Sequence, residues 1–172
     1  FDRWGFGPCV IDADADGFDD VYVCCFGANA LFRNVNSKFE DVTAKAGVAG
    51  RADEWSTAAG CGDIDADGDL DLYVANYLEF DPAHPPGPTK FLTVPVFSGP
   101  KGLRPQTDRV FINRGDGTFE DATARLKFDQ VDPGYGLGVI ILDFDQDGRQ
   151  DIFVGNDSGK NYLFVRGDDG TF

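Results

Sequence analysis

The sequence is poor in several residue types that common protein classes need. Its 172 residues include no methionine, one histidine and only four glutamates, and no apolar run approaches the roughly 18 residues of a membrane-spanning helix. Scarcity of glutamate, a good helix former, argues against a helical bundle. His84 is the single histidine and lies in a proline-rich stretch. With no second histidine, we find no Ser-His-Asp or Cys-His arrangement for nucleophilic catalysis.

Positive charge is also scarce. Fifteen Lys and Arg face 30 acidic residues, 26 of them aspartate, which gives a formal net charge of -15. A surface of this sign repels phosphate, so we expect neither a nucleic-acid partner nor binding to anionic membranes. Hydrophobic residues make up 42% of the chain and glycine occurs 22 times, which suits a packed core with many tight turns. The composition predicts a β-rich, turn-rich globular chain.

About half of the aspartate lies in one motif that occurs three times. The pattern D-x-D-x-D-G-x-x-D spans residues 12–20, 63–71 and 143–151, here named the first, second and third Asp loops with positions 1 to 9. An apolar triplet follows each loop, and turn signals farther on predict a hairpin, so each unit contains four short strands. Four strands in a repeat of about 40–50 residues are typical of a propeller blade.

These units divide the chain into three predicted repeats, residues 1–50, 51–130 and 131–172. Repeat 2 carries a proline-rich insertion at 78–108, which we expect to be a long ordered loop on one face of its blade. Repeat 3 stops before its last strand, which suggests a piece of a longer protein. The predicted fold class is all-β, with about three four-stranded antiparallel blades of an incomplete β-propeller. The alternative is an open stack of repeats in a filament, since contacts between uncovered blade faces give rings or filaments.

The Asp loops are predicted to bind Ca²⁺, about one ion per loop and three in all. Carboxylates at positions 1, 3 and 5 converge on one centre, glycine at position 6 permits a sharp turn, position 7 offers its carbonyl, and aspartate at position 9 closes the site. An EF-hand needs an acidic ligand at position 12, where this chain has Val23, Val74 and Val154. The predicted metal ligands are Asp12, Asp14, Asp16, Phe18, Asp20, Asp63, Asp65, Asp67, Asp69, Asp71, Asp143, Asp145, Asp147, Arg149 and Asp151.

Four cysteines, Cys9, Cys24, Cys25 and Cys61, lie in or beside the strands that flank the first two Asp loops. Cys9 and Cys24 could face each other across adjacent strands, or Cys61 could reach the first repeat. One or two disulfides would fit an extracellular protein, while buried free thiols are the alternative. The sequence does not choose between these pairings.

The Asp loops and their flanking strands resemble FG-GAP/VCBS repeats, the units of integrin-α-type propellers. Several further segments are similar to the cartilage acidic protein (ASPIC/UnbV) family: residues 75–82, 99–103, 108–111, 114–119, 136–139 and 154–157. The resemblance covers essentially the whole chain. It implies a secreted, calcium-binding, seven-bladed propeller with no established enzymatic activity.

Three functions are compatible with these features. The preferred one is a non-enzymatic extracellular repeat protein with a structural, adhesion or scaffold role, Ca²⁺ stabilising each repeat, and other extracellular proteins or glycans as partners. The second is a self-assembling fibre subunit that associates head to tail. The third is the propeller part of a carbohydrate-processing or biosynthetic enzyme, whose active residues would lie in the insertion or outside this sequence; no single non-repeating acidic pair favours it.

Overall fold

The computed structural model describes residues 2–96, 98–100 and 102–172, and most of this part of the chain forms antiparallel strands. The strands of repeat 1 are β1 (Trp4–Ile11), β2 (Asp20–Phe26), β3 (Ala30–Val35) and β4 (Lys38–Asp41), followed by the one-turn helix α1 (Thr43–Ala46). Repeat 2 contains β5 (Ser56–Gly62), β6 (Asp71–Asn76), the hairpin β7 (Thr89–Phe91) and β8 (Val94–Val96), then β9 (Arg109–Asn113) and β10 (Phe119–Asp121). A 3-10 turn (Phe128–Gln130) leads to β11 (Gly136–Leu142), β12 (Asp151–Asn156) and β13 (Tyr162–Phe164).

Three of the described sheets repeat the same meander. The first sheet has the order β1-β2-β3-β4, the second has the order β10-β9-β6-β5, and the third has the order β11-β12-β13. Within the described residues none of them closes on itself, as expected for separate propeller blades. The predicted all-β fold class of blade-like antiparallel sheets is therefore confirmed. The exact repeat boundaries stay a prediction.

Each Asp loop joins the first two strands of its sheet in the same register. The last residue of the first strand pairs with the aspartate at position 9, which begins the second strand: Ile11 with Asp20, Gly62 with Asp71 and Leu142 with Asp151. The eight residues before position 9 therefore form a tight connection at one end of each sheet. All three loops lie at equivalent places in their blades.

Two hydrophobic cores lie between consecutive sheets. Tyr22 and Leu31 of the first sheet pack with Leu72 of the second, and Tyr73 and Val110 of the second pack with residues of the third. The middle strand β6 is buried along its whole length because the second sheet is covered on both faces. Burial of apolar area at roughly 25 cal/mol per Å² is the main force that holds the blades together.

The first strands of neighbouring sheets approach closely enough to require glycine. A Cβ atom at Gly7 would lie 2.5 Å from the carbonyl oxygen of Thr57, and one at Gly60 would lie 2.8 Å from the side chain of Val139. The hydroxyl of Thr57 also donates a 2.6 Å hydrogen bond to the carbonyl of Gly136 on β11. β1, β5 and β11 thus form a close-packed series along one edge of the three sheets.

The proline-rich insertion leaves the second sheet after β6 and returns at β9. Its base is held by backbone hydrogen bonds from Glu79 to Arg104 (2.8 Å) and from Gln106 to Tyr77 (3.2 Å). Beyond this base it forms the exposed hairpin β7–β8, which the sequence pattern did not predict. No described helix is long and apolar enough to cross a membrane.

Candidate metal centres

The structure gathers three carboxylates in every Asp loop. In each case one oxygen from positions 1, 3 and 9 lies within 4.8 Å of the other two. The groups are Asp12, Asp14 and Asp20 in the first loop, Asp63, Asp65 and Asp71 in the second, and Asp143, Asp145 and Asp151 in the third. Nine of the predicted ligand residues are therefore brought together in the expected sets. Their assignment as metal ligands stays a prediction.

The carboxylate at position 1 is fixed by the backbone of its own loop. One oxygen of Asp63 accepts a hydrogen bond from the amide of Asp67 (3.0 Å), and the other accepts from Gly68 (3.2 Å). The first and third loops repeat both bonds at 2.9–3.1 Å. This geometry requires left-handed backbone at position 6, where φ of Gly68 is 102°, and also at position 4, where φ of Ala66 is 64°.

The aspartate at position 9 is buried and joins its loop to the third strand of the sheet. Asp71 accepts from the amide of Ile64 (2.7 Å) with one oxygen and from the amide of Asn113 (2.8 Å) with the other. Asp20 and Asp151 make the equivalent two bonds: each accepts from the amide of position 2, Asp20 also accepts from Asn34 on β3, and Asp151 also accepts from Arg166, two residues after β13. The exposed fractions of these three residues are only 0–1%. Such placement makes position 9 a rigid anchor of the cage.

Position 3 supplies the observation that best fits a cation. Oδ1 of Asp14 and Oδ1 of Asp65 are buried and have no hydrogen-bond partner. A buried carboxylate oxygen without a partner is costly, and coordination to a hard cation such as Ca²⁺ would satisfy it. In the third loop Asp145 is exposed, and its Oδ1 accepts a hydrogen bond from Asp147 (3.2 Å). The first two loops therefore fit a metal better than the third.

Positions 5 and 7 lie outside the carboxylate groups that the structure gathers. The carboxylate at position 5 instead accepts a hydrogen bond from the amide of position 7, for example from Asp69 to Asp67 (3.0 Å). The same bond forms at Phe18 and at Arg149. Phe18 is 57% exposed, so its side chain contributes nothing to the cage and only its carbonyl remains as the predicted ligand.

Burial raises the pKa of several of these carboxyl groups. The pKa of Asp71 is raised from its usual 3.8 to about 7, chiefly by burial, although hydrogen bonds from backbone amides oppose the shift. Burial likewise raises the pKa of Asp20 and of Asp65, and neighbouring carboxylates add to it. The cluster therefore disfavours its own negative charge, which a bound cation would relieve.

In the first and third loops a guanidinium group contacts the carboxylates. Arg33, on β3, contacts the carboxylates of Asp14 and Asp16, the latter at 3.1 Å. Arg149, at position 7 of the third loop, contacts Asp147 and also Asp168 at 2.9 Å. The second loop also has an arginine beside it, Arg166 of the third repeat. The guanidinium of Arg166 donates to the carbonyl oxygen of Asp65 (2.6 Å) rather than to its carboxylate.

The next sheet covers the first and second loops. Asn113 of the second sheet donates to the carbonyl of Ala13 in the first loop (2.9 Å), and Arg166 of the third sheet covers the second loop as described above. Asn113 and Arg166 occupy equivalent positions, since their amides bond Asp71 and Asp151. Sequence reasoning missed that these residues cover the Asp loop of the preceding blade. The alignment of the three repeats nevertheless places Asn113 and Arg166 in register, with Asn34 at the equivalent position of the first repeat.

A second set of equivalent polar residues was also missed by sequence reasoning. Asn29, Asp108 and Asn161 precede the third strand of their sheets, and each accepts a hydrogen bond from the backbone amide at the end of the second strand. Asp108 also accepts from the hydroxyl of Tyr73 (2.8 Å). Its pKa is raised to about 7 by burial. This position fixes the end of the second strand opposite to the Asp loop.

Comparisons with known proteins agree with this geometry. A model of the FG-GAP-like repeat family matches residues 12–74 and 96–154, which include all three Asp loops. Cartilage acidic protein 1 of Homo sapiens is 28% identical over a 218-residue alignment that covers 96% of this chain and 32% of the relative. The Xenopus tropicalis and Mus musculus proteins of the same name are 27% identical, with 96% of this chain and 33% of each relative covered.

The chain thus spans about a third of the length of the curated relatives that it matches. The resemblance to the cartilage acidic protein family that the sequence motifs indicated is confirmed. The two segments matched by the family model make up more than half of the chain, and they contain the repeated loops described above. The chain belongs to the FG-GAP-like repeat family.

Proposed function

We propose that this chain is part of an extracellular calcium-binding repeat protein with a structural, adhesion or scaffold role and no enzymatic activity. The observation that carries the proposal is the thrice-repeated cage, in which positions 1, 3 and 9 converge while the backbone holds positions 1 and 9 in place. The buried, unpartnered oxygens of Asp14 and Asp65 support a cation at the centre of the first two cages.

The proposed ligands are the carboxylates of positions 1, 3, 5 and 9 together with the carbonyl of position 7. Two unit charges 4 Å apart repel by about 4 kcal/mol at an effective dielectric constant near 20, so a cage with several carboxylates destabilises the fold by itself. Bound Ca²⁺ would supply the neutralising charge and hard oxygen coordination. The protein's own contribution is to hold the oxygens in place before the ion arrives.

An extracellular setting agrees with the expected affinity of such sites. Oxygen cages in extracellular modules bind Ca²⁺ with dissociation constants of about 10⁻⁴–10⁻³ M, which suit calcium outside cells. The relatives are named acidic proteins of cartilage, and this chain shares the excess of acidic residues, 30 against 15 basic ones. Other extracellular proteins or glycans are its proposed partners.

Head-to-tail association is a second proposal, and it rests on the exposed apolar side chains of the outer sheets. Val10 on β1 and Ile140 on β11 are 57% and 55% exposed. Further blades of the same protein or further copies would cover these faces. Sedimentation velocity across a concentration series distinguishes the two cases: growth of the particle supports a filament, and a constant size contradicts it.

Thermal unfolding with and without calcium tests the main proposal. Saturation of one site at 100 times its dissociation constant stabilises the folded state by about 2.7 kcal/mol, so excess EDTA should lower the melting temperature markedly. Asp20→Asn should reduce the calcium-dependent shift, whereas Asp19→Asn, the adjacent exposed carboxylate, should leave it intact. An equal melting temperature in calcium and in EDTA would contradict the proposal.

A further inference from the structure

Two cysteines meet where the first strands of the first two sheets pack together. Cys9 lies on β1 and Cys61 on β5, and both side chains belong to the core between these sheets. Both residues are free thiols in the structure, and both thiols donate to the carbonyl oxygen of Val10, Cys61 at 3.2 Å and Cys9 at 3.8 Å. Because one carbonyl oxygen accepts from both thiols, the two sulfur atoms lie in the same small region of the interface.

We propose that Cys9 and Cys61 form a disulfide that joins the first and second blades. A disulfide requires Cα atoms about 4.4–6.8 Å apart and hence strands in close approach. β1 and β5 do approach closely, because a Cβ atom at Gly7 would lie only 2.5 Å from the carbonyl oxygen of Thr57. The bridge would lie in the close-packed series of first strands rather than within one sheet.

The other two cysteines are less suitable partners. Cys9 pairs with Tyr22 in the β1–β2 register, so Cys24 is a diagonal neighbour, and such neighbours lie about 7–8 Å apart. The thiol of Cys25 points at the carbonyl oxygen of Val23 (3.5 Å). Successive side chains of a strand lie on opposite faces, so Cys24 and Cys25 do not face each other.

The reaction is a thiol–disulfide exchange with a small disulfide such as oxidised glutathione as the oxidant. Cys61 is only partly buried, whereas Cys9 is 8% exposed, so Cys61 is the residue that meets the reagent. Its thiolate attacks one glutathione sulfur and releases one glutathione thiol. The Cys9 thiolate then attacks the Cys61 sulfur and releases the second. Two protein thiols are oxidised, and one glutathione disulfide is reduced to two thiols.

The bridge would stabilise the blade interface independently of the metal sites. Cys9 and Cys61 precede the first residues of the first and second Asp loops, Asp12 and Asp63, by three and two positions. The loop that the disulfide closes contains nearly all of the first blade, and long loops gain the most from closure. This inference does not depend on the calcium proposal, since the two thiols meet through strand packing alone.

Peptide mapping tests the bridge directly. The purified protein is incubated in a glutathione redox buffer, blocked with N-ethylmaleimide and digested with endoproteinase Asp-N, which cleaves before aspartate. The expected product is Asp2–Ile11 linked to Asp53–Gly62, and it should separate on reduction. A link between Asp2–Ile11 and Asp20–Glu40, or Cys61 joined only to glutathione, would overturn the proposal.

Matched variants and a stability measurement complete the test. The double variant Cys24→Ser/Cys25→Ser should keep the linked peptide, and Cys61→Ser should lose it. Oxidised wild-type protein in EDTA should melt roughly 5 °C or more above its reduced form, since a disulfide that closes a long loop restricts the unfolded chain. Equal melting temperatures would overturn the claim that the bridge holds the blades together.

Discussion

The second and third Asp loops have the same motif and the same backbone hydrogen bonds to positions 1 and 9, yet their surroundings differ. In the second loop Oδ1 of Asp65 is buried without a partner, and Arg166 of the following sheet covers the loop from outside. In the third loop Asp145 is exposed, and Arg149 contacts Asp147 at position 5. The motif thus builds the cage, while the neighbouring blade determines how deeply the cage is buried.

The first loop combines features of both. It is covered by Asn113 of the next sheet, as the second loop is covered by Arg166. It also has a guanidinium group, Arg33, against its carboxylates at positions 3 and 5. We therefore expect the second loop to bind Ca²⁺ most tightly, because it is covered and its carboxylates contact no guanidinium within the described part of the chain.

The largest loss of stability is expected when the aspartate at position 9 is replaced, and the comparison is between separate variants of the second and third loops. Asp71→Ala leaves the buried amides of Ile64 and Asn113 without acceptors, at about 1–3 kcal/mol each. Asp151→Ala should cost at least about 1 kcal/mol less, because the amide of Phe144 is only partly buried and water can replace the carboxylate. Urea unfolding in saturating calcium measures both losses. Equal losses would show that burial by the next blade is not what distinguishes the loops.

The second prediction concerns Asp108, which occupies the place of Asn29 and Asn161 in the other two blades. Folding raises its pKa from 3.8 to about 7 through burial, so the folded state prefers the neutral carboxyl group. Its contribution to stability is complete below about pH 4 and is lost as the pH rises through 7. The free energy of unfolding of the wild type, relative to Asp108→Asn, should fall by on the order of 3 kcal/mol between pH 5 and pH 8.

The control for this prediction is Asp121→Asn, which removes a partly exposed carboxylate from the same sheet. This variant should show nearly the same fall in the free energy of unfolding between pH 5 and pH 8 as the wild type. If the free energy of unfolding of Asp108→Asn changed with pH as that of the wild type does, Asp108 would titrate near its ordinary pKa. The second blade would then not differ from its neighbours in the pH dependence of its stability.

The smallest effect is expected from Arg33→Gln. If the guanidinium competes with a cation for Asp14 and Asp16, its removal should tighten calcium binding at the first loop about three- to tenfold, the equivalent of roughly 1 kcal/mol. Arg125→Gln, which removes an arginine paired with Glu120 away from the loops, is the matched control. Calorimetric titration measures the change, and weaker binding in Arg33→Gln would mean that the arginine supports the cage instead.

The parts of the site that depend on local spacing could be predicted from the sequence. Chelation by a short loop demands carboxylates at fixed offsets, so the spacing alone is enough to recognise positions 1, 3 and 9. The strand registers follow from the same repeats, because each loop must join two paired strands. The blade-like sheets and the gathered carboxylates therefore agree with the pattern.

The parts that depend on distant residues could not be predicted in this way. Arg166 reaches a loop 101 residues earlier, and Asn113 reaches one 100 residues earlier, so neither contact leaves a local pattern. The guanidinium of Arg33 and the burial of Asp108 likewise depend on how strands pack. The contact between Cys9 and Cys61 was one of several pairings compatible with the sequence, and only the approach of β1 to β5 distinguishes it.

Calcium titration calorimetry of the wild type beside Asp71→Asn tests the central claim most directly. The account predicts about three binding equivalents in the wild type, with the tightest one lost in Asp71→Asn and the two others retained. Asp69→Asn, which changes a side chain that is not a proposed side-chain ligand, should keep all three. Absence of binding at millimolar calcium, or the same stoichiometry in Asp71→Asn as in the wild type, would contradict the claim that the Asp loops are calcium sites.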